Sequence, residues 1–257
     1  MKKLGAFLVG LGLVAGVASA ANVNSVNMVG YQNLSVPNGL VMMALNWNAV
    51  GGSSSIPINT LISGAGLTPG PGFFAADQLY VWDASLNGGT GGYKQYYLWT
   101  DDGLWYEFLN DNFPTTNVIQ RGQGFWLRHS GSVTNVTVAG EVPVGGTNTV
   151  VFGAGSLHMI GSAYTASLPI NGSNMTWTGN AGAGFFASDQ LYVWYSSLNG
   201  GTGGYKQYYR WIDDGLWYEF LNDNFPTTDV IPLGQGAWFK NIGPASTTWT
   251  EVRPYTP

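Results

Sequence analysis

The acidic side chains best placed to do chemistry in this sequence occur as two matching pairs. Asp101-Asp102 and Asp213-Asp214 each precede a glycine. Carboxylates contributed by two related halves could bind a cation, or could hydrolyse a substrate as the paired aspartates of aspartic proteases do. Those proteases have Ser or Thr after the first aspartate, where this chain has Asp. Because Asp-Gly between strand-like segments is above all a hairpin signal, we predict turns at both places.

Other acids offer two further alternatives. Glu107 and Glu219 lie at matching positions, and carboxylates about 5 to 9 Å apart could hydrolyse a glycoside. Near-identical surroundings give no reason for one to act as an acid and the other as a base. The segments 110–112 and 222–224, both Asn-Asp-Asn, supply oxygen ligands for calcium, but neither continues into an EF-hand loop. We therefore predict no catalytic residue, no metal site and no cofactor.

Aromatic rings are the strongest candidates for a binding function. Eight of them recur at matching positions, namely Tyr80, Trp82, Trp105, Tyr106, Tyr192, Trp194, Trp217 and Tyr218. Rings flanked by Asn, Asp and Gln can hold sugars, because the ring stacks on the apolar sugar face while polar groups bind the hydroxyls. Two such sites would add avidity on a repetitive glycan. The alternative is that these rings fill the interior of a glycine-rich β fold.

All of these residues belong to a segment that the chain contains twice. Residues 72–126 return as 184–238, with 46 of 55 residues identical at a constant offset of 112. Leu98 corresponds to Arg210, which predicts a water-facing position because an unpaired buried arginine is costly. Phe125 corresponds to Ala237, which predicts a position that is exposed or lies between the two copies.

Short strands separated by Gly, Asn and Asp turns account for most of each copy. In the first copy we expect them at residues 78–82, 93–99, 104–109, 124–128 and 133–138. The Gly-rich segments 88–92 and 200–204 open onto strands, so we expect hairpin loops there and not phosphate loops. The predicted fold is all-β, with two tandem similar small β-sandwich or barrel-like domains after a signal peptide. The predicted boundaries are 1–20 for the signal peptide, 21–143 for the first repeat and 144–257 for the second.

Composition narrows the classes of function. The chain has a formal net charge of -5, and only 9% of its residues are charged. Phosphate binding needs a basic stripe, so nucleic acid is excluded as a partner. The chain has no cysteine, which removes disulfides, zinc-thiolate sites and thiol catalysis.

The first twenty residues have the pattern of a signal peptide. Lys2 and Lys3 precede an apolar run from Leu4 to Val17, and Ala18-Ser19-Ala20 provides a cleavage site before Ala21. We predict a secreted or cell-surface protein, with the periplasm as an alternative destination, and no membrane span after cleavage.

Three short motifs carry a resemblance to other proteins. They are the segment from Val26 to Tyr31, the Leu-Tyr-Val-Trp strands at 79–82 and 191–194, and the Gly-Gln-Gly-x-Trp segments at 122–126 and 234–238. With the signal peptide, they resemble a group of duplicated secreted proteins of unknown function from Verrucomicrobia and related bacteria. The resemblance covers most of the mature chain. It implies an exported pair of all-β repeats and assigns no functional residue.

Together these observations predict a non-catalytic structural or adhesive protein of the cell surface or extracellular matrix. Its partners would be further copies of itself or a surface polysaccharide. The alternative is a bivalent carbohydrate-binding protein that uses the eight aromatic residues named above.

Overall fold

The computed structural model describes residues 28–62, 66–195 and 197–256 of the chain, so the predicted signal peptide lies outside the described residues. The all-β prediction is confirmed. Residues up to 143 are called the first half below, and those from 144 onward the second half.

The first half contains β1 (Val29–Val36), β2 (Gly39–Ala44), β3 (Ser55–Pro57), α1 (Ile58–Leu61), a 3-10 helix (Phe73–Ala75), β4 (Gln78–Asp83), α2 (Leu86–Gly89), β5 (Gly92–Leu98), β6 (Trp105–Glu107), β7 (Asn110–Pro114), β8 (Val118–Gln120), β9 (Gly124–His129) and β10 (Thr134–Glu141). The second half contains β11 (Thr147–Phe152), β12 (Leu157–Ile160), β13 (Leu168–Pro169), β14 (Met175–Trp177), a 3-10 helix (Phe185–Ala187), β15 (Gln190–Tyr195), α3 (Leu198–Gly201), β16 (Gly204–Arg210), β17 (Trp217–Glu219), β18 (Asn222–Pro226), β19 (Val230–Ile231), β20 (Ala237–Lys240) and β21 (Thr247–Val252).

Each half is built around one six-stranded antiparallel sheet. The strand order is β2-β9-β4-β5-β6-β7 in the first half and β12-β20-β15-β16-β17-β18 in the second, so corresponding strands occupy corresponding places. One face of each sheet, here called the inner face, packs on a hydrophobic core. In the first half the core is closed by the β1–β10 and β3–β8 pairs. In the second half it is closed by the β11-β21-β14 sheet and the β13–β19 pair.

The sequence predicted that Leu98 on β5 faces water, and the structure shows instead that it is buried. Tyr96 and Leu98 are buried in the first core, while Tyr97 lies on the opposite, outer face. The corresponding Arg210 is half-buried and does not simply face water. Its Nε donates to the Gly215 carbonyl oxygen at 2.9 Å, and its Nη1 donates to a second backbone carbonyl. The prediction of a water-facing position assumed that a buried arginine would be unpaired. These two carbonyl oxygens accept hydrogen bonds from the Arg210 guanidinium, so it can be half-buried.

The Phe125 and Ala237 position is also not where the sequence placed it. Phe125 is buried in the first core, and Ala237 is buried in the second. Trp177 on β14 lies 4.2 Å from the ring of Phe239 and 5.2 Å from that of Trp249, centroid to centroid. These rings fill the second core beside the smaller alanine.

The two halves meet through the outer faces of their sheets, at the end that carries β2, β9 and β4 or their counterparts. Trp82 makes an edge contact with Trp238, and Trp126 makes the same contact with Trp194, both at 5.2 Å between ring centroids. In each contact one tryptophan comes from each half, and the two contacts are related by the repeat offset. Backbone bonds from Ala44 to Gly234 and from Gly161 to Gly122 join the halves beside these rings.

In the described part of the chain, the helices are too short and too polar to cross a membrane.

Candidate binding surface

The outer face of each six-stranded sheet is lined with aromatic rings from one edge to the other. Near β2 and β12 the rings are used in the contact between halves. Near β6 and β17 the face is not covered by the other half, because the contact uses only the opposite end of each sheet. This uncovered region is the candidate binding surface, and it occurs once in each half.

In the first half the surface consists of the half-buried rings of Trp99, Tyr106 and Phe108, which lie beside the buried ring of Tyr97, 2% exposed; we call these four residues the first aromatic patch. Tyr106 lies 6.3 Å from Tyr97 and 6.0 Å from Trp99, measured between ring centroids. Phe73, from the 3-10 helix, stacks on Phe108 at 4.3 Å and supports the patch from below. Strand pairing fixes the spacing, since Tyr97 and Tyr106 are direct partners across β5 and β6.

The second aromatic patch consists of the half-buried rings of Trp211, Tyr218 and Phe220 beside the buried ring of Tyr209, which is 2% exposed. The ring of Tyr218 lies 6.3 Å from Tyr209 and 6.2 Å from Trp211, so the geometry of the first patch is reproduced. Phe185 stacks on Phe220 at 4.5 Å.

Carboxylates surround both patches and hold the tyrosine hydroxyl groups. The Tyr106 hydroxyl donates to Asp102 at 2.8 Å, and the Tyr97 hydroxyl donates to Asp111 at 3.0 Å. The second patch repeats these bonds, from Tyr218 to Asp214 and from Tyr209 to Asp223.

The same bonds hold these tyrosines in the neutral form. Burial, helped by the hydrogen bond to Asp111, raises the pKa of Tyr97 to about 12, and the pKa of Tyr209 rises to about 12 for the corresponding reasons. The hydrogen bond to Asp102 raises the pKa of Tyr106. Each patch therefore presents neutral rings beside carboxylate oxygens near neutral pH, which is a suitable arrangement for a ligand with both apolar carbon and hydroxyl groups.

The structure separates the eight aromatic residues that the sequence grouped together. Trp105 and Trp217 are 1% and 2% exposed, respectively, on the inner faces. The indole N–H of Trp105 donates to the Ile62 carbonyl oxygen at 2.8 Å. The expectation that these two residues contact a ligand is therefore corrected, because each is enclosed in a hydrophobic core.

The other six residues all lie on the outer faces. Trp82 and Trp194 belong to the contact between halves, and Trp82 also donates its indole N–H to the Leu157 carbonyl oxygen at 2.7 Å. Tyr80 and Tyr192 are half-buried between this contact and the patches, each bonded to the glutamine two residues before it. Only Tyr106 and Tyr218 belong to the patches.

The acidic residues identified in the sequence lie in turns and strands, where they bond neighbouring groups. Asp101-Asp102 lies in the turn between β5 and β6, where the Gly103 N–H donates to the Trp99 carbonyl oxygen, so the predicted turn is observed. Glu107 accepts a bond from Asn117 at 3.2 Å, whereas Glu219 pairs with Lys206 at 3.5 Å. Residues 110–114, which include the first Asn-Asp-Asn segment, form β7. Within residues 28–62, 66–195 and 197–256, no group of three His, Asp or Glu side chains is arranged to hold a metal ion.

A buried polar pair was missed at the sequence level. Asp77 and His129 are fully buried, and the His129 Nδ1 lies 2.7 Å from an Asp77 carboxylate oxygen. The His129 Nε2 lies 2.7 Å from the Ser132 carbonyl oxygen, so each ring nitrogen faces an oxygen acceptor. The pair ties the end of β9 to the start of β4. Its second-half counterpart has Asn241 in place of the histidine, and burial raises the pKa of Asp189 there.

Comparison of the chain with known protein families, with curated proteins and with solved structures finds no match.

Proposed function

We propose that this protein is a non-catalytic adhesive or structural component of the cell surface or extracellular matrix, and that it binds its partner through the two aromatic patches. The observation that supports this most directly is the repetition of the patch. The same rings, at the same spacings and with the same carboxylate partners, lie outside the contact between halves in each half. Two equivalent sites on one chain can engage a repetitive partner simultaneously, which multiplies the effective affinity.

The chemistry of the acids supports a role without catalysis. Asp102 and Asp214 bond tyrosine hydroxyls beside tight turns, and Glu107 and Glu219 are engaged with different partners in different halves. A two-carboxylate hydrolase requires an acid and a base in different environments around one shared cleft. The arrangement of these four carboxylates does not meet that requirement.

The second candidate function is carbohydrate binding, which the chemistry of the aromatic patches favours. Trp99 and Trp211 are partly exposed rings, each beside a tyrosine that is bonded to an aspartate. In the second patch the Trp211 indole N–H also donates to Asp213 at 3.0 Å. Ring faces bordered by carboxylate oxygens suit a polysaccharide, since a sugar presents C–H groups on one face and hydroxyl donors at its rim.

Polysaccharide binding is tested with the variants Trp99→Ala, Trp211→Ala and the double variant. We expect each single variant to lose avidity and the double variant to lose binding in a glycan array and in affinity electrophoresis. Tyr31→Ala is the matched control, because Tyr31 is an aromatic residue that is 71% exposed on β1, outside both patches. Retained binding by the double variant, or loss of binding by the control, would remove the patches as the site.

Self-association is tested separately. Strands β7 and β18 are the free edges of the two large sheets, and Phe113 and Phe225 on them are 77% and 79% exposed. Open edges of this kind can pair with another chain. We expect concentration-dependent assembly in analytical ultracentrifugation and electron microscopy, and we expect the double variant Phe113→Lys and Phe225→Lys to abolish it. A protein that neither assembles nor binds any surface polymer would refute the proposal.

A further inference from the structure

The contact between halves leaves two clefts, one on each side, and they are lined by corresponding residues. The first has a volume of about 160 Å³ and is lined by Trp194, Leu233, Gly234 and Gln235 together with β1 and β2. The second has a volume of about 240 Å³ and is lined by Trp82, Arg121, Gly122 and Gln123 together with β11 and β12. The two sets are related by the repeat offset of 112 residues. The linings differ in polarity where Arg121 of the second cleft corresponds to Leu233 of the first, and where His158 corresponds to Met42.

Arg121 gives the second cleft a positive charge that its lining does not neutralise. Of the described residues that line it, none is Asp or Glu. The two terminal nitrogens of the guanidinium donate to Asn48 and Asn148, at 3.0 and 3.2 Å, and both acceptors are neutral amide oxygens. The Nε atom is buried and has no hydrogen-bond partner among the residues that the structure describes. In the described part of the chain, Arg121 forms no ion pair.

Three titratable groups surround this arginine: Tyr164, whose ring centroid lies 5.7 Å from the Arg121 Cζ, His158 and Glu251. His158 lines the cleft, and burial lowers its pKa, so the ring is neutral at physiological pH. Glu251 lies in a small adjoining cavity, and its carboxyl is bonded to Ser162, Ala163 and Trp249. Burial raises the pKa of Glu251 to about 7, so it offsets the arginine charge only in part at neutral pH. A guanidinium group whose positive charge is only partly neutralised by its neighbours favours an anionic ligand.

The remaining lining limits what that anion can be attached to. Trp82 and Phe152 provide aromatic carbon, and Gln120 and Gln123 provide side-chain amides. The cleft is smaller than the usual 300 to 1,000 Å³ of small-molecule sites, so it suits one ring and not an extended chain. We propose that this cleft binds a single uronic acid residue, with the sugar carboxylate against the Arg121 guanidinium. This site is independent of the aromatic patches.

The proposal is tested by isothermal titration of the full chain with sodium glucuronate, glucose and sodium acetate. We expect glucuronate to bind at least tenfold more tightly than either of the others, since only it has both the charge and the ring. A glucuronate oligomer is a further probe. If only the monomer binds, the ligand of the cleft is a free sugar. If both bind, the cleft also accepts the end of a sugar chain. Equal affinity for glucuronate and glucose, or for glucuronate and acetate, would overturn the proposal.

Arg121→Leu gives the second cleft the residue that the first cleft already has. We expect this variant to lose glucuronate affinity roughly 10- to 100-fold, as expected for loss of a charge-assisted bond. Arg121→Lys should retain part of the affinity because it keeps the charge. The Trp99→Ala and Trp211→Ala double variant should bind glucuronate as the wild type does, which distinguishes failure of the cleft from failure of the patches. Unchanged affinity in a folded Arg121→Leu protein would refute the assignment, and the wild-type ligand comparison remains decisive if that variant does not fold.

Discussion

Replacement of Glu251 by glutamine should remove a pH dependence that this buried carboxyl imposes on folding. Glu251 is 2% exposed, and its burial in the second half raises its pKa from an ordinary value of 4.5 to about 7. Hydrogen bonds from the Ala163 N–H and the Trp249 indole N–H oppose this shift without cancelling it. The folded chain therefore binds this proton more tightly than the unfolded chain does.

The sign and size of the effect follow from that difference. Between about pH 4.5 and pH 7 the folded state holds the proton while the unfolded state has lost it, so the free energy of unfolding falls as the pH rises. Since each pKa unit corresponds to about 1.4 kcal/mol, the total loss across this window is about 3 kcal/mol. The contribution is fully favourable below pH 4.5 and fully lost above pH 7.

Urea unfolding followed by tryptophan fluorescence, at several pH values from 4 to 8, measures this contribution directly. A glutamine at position 251 stays neutral at every pH, so the variant lacks this pH dependence. Below pH 4.5, where the wild-type carboxyl is protonated, the variant should be less stable by about 1 kcal/mol because an amide cannot accept all of the carboxyl group's bonds. The difference in unfolding free energy between wild type and Glu251→Gln should therefore change by about 3 kcal/mol between the ends of the range, and other titrating groups cancel in that difference. A difference that is constant with pH would refute the reasoning.

Three further predictions concern stability, each measured by urea or thermal unfolding. Phe125→Ala should cost about 3 to 5 kcal/mol, because it empties a packed core, whereas Ala237→Phe should cost about 1 to 3 kcal/mol by overfilling the other core. His129→Ala should cost about 3 to 5 kcal/mol, because it removes a fully buried side chain together with its bond to Asp77, whose carboxylate then keeps only its hydrogen bonds from Thr68 and Ser130. Leu109→Gly should raise stability by about 1 kcal/mol, because Leu109 has a backbone φ of 70° and is 86% exposed.

The outcomes that would contradict these predictions are equally specific. A Phe125→Ala protein as stable as the wild type would show that the first core collapses around the smaller residue. His129→Asn copies the residue of the second half and is the control for the histidine, so it should cost less than His129→Ala. A Leu109→Gly variant that is less stable than the wild type would show that the exposed leucine makes stabilising contacts.

The strands could be predicted from the sequence because their signals are local. Apolar and aromatic segments bounded by Gly, Asn and Asp can form little other than strands and turns, and the observed β4, β5 and β9 lie within one or two residues of the predicted bounds. The near-identity of residues 72–126 and 184–238 also predicts equivalent strand orders, since nearly the same side chains must find the same partners.

The faces of those strands could not be predicted in the same way. Alternation identifies the buried face only when the two faces differ in polarity, and β5 has tyrosines on both. The Leu98 and Arg210 difference indicated water for that position, yet Arg210 finds two backbone carbonyls that lie near it only in the folded chain. The same limit explains why Trp105 and Trp99 could not be assigned to core and surface from the sequence.

The sequence by itself determined an all-β chain with few charges, no cysteine and two matching sets of aromatic residues. Tertiary structure alone decided which rings fill the cores, which join the halves and which remain at the surface. The physical reason is that burial depends on what covers a side chain. For Trp82 and Trp126 the cover comes from the distant Trp238 and Trp194, so no local pattern could reveal it.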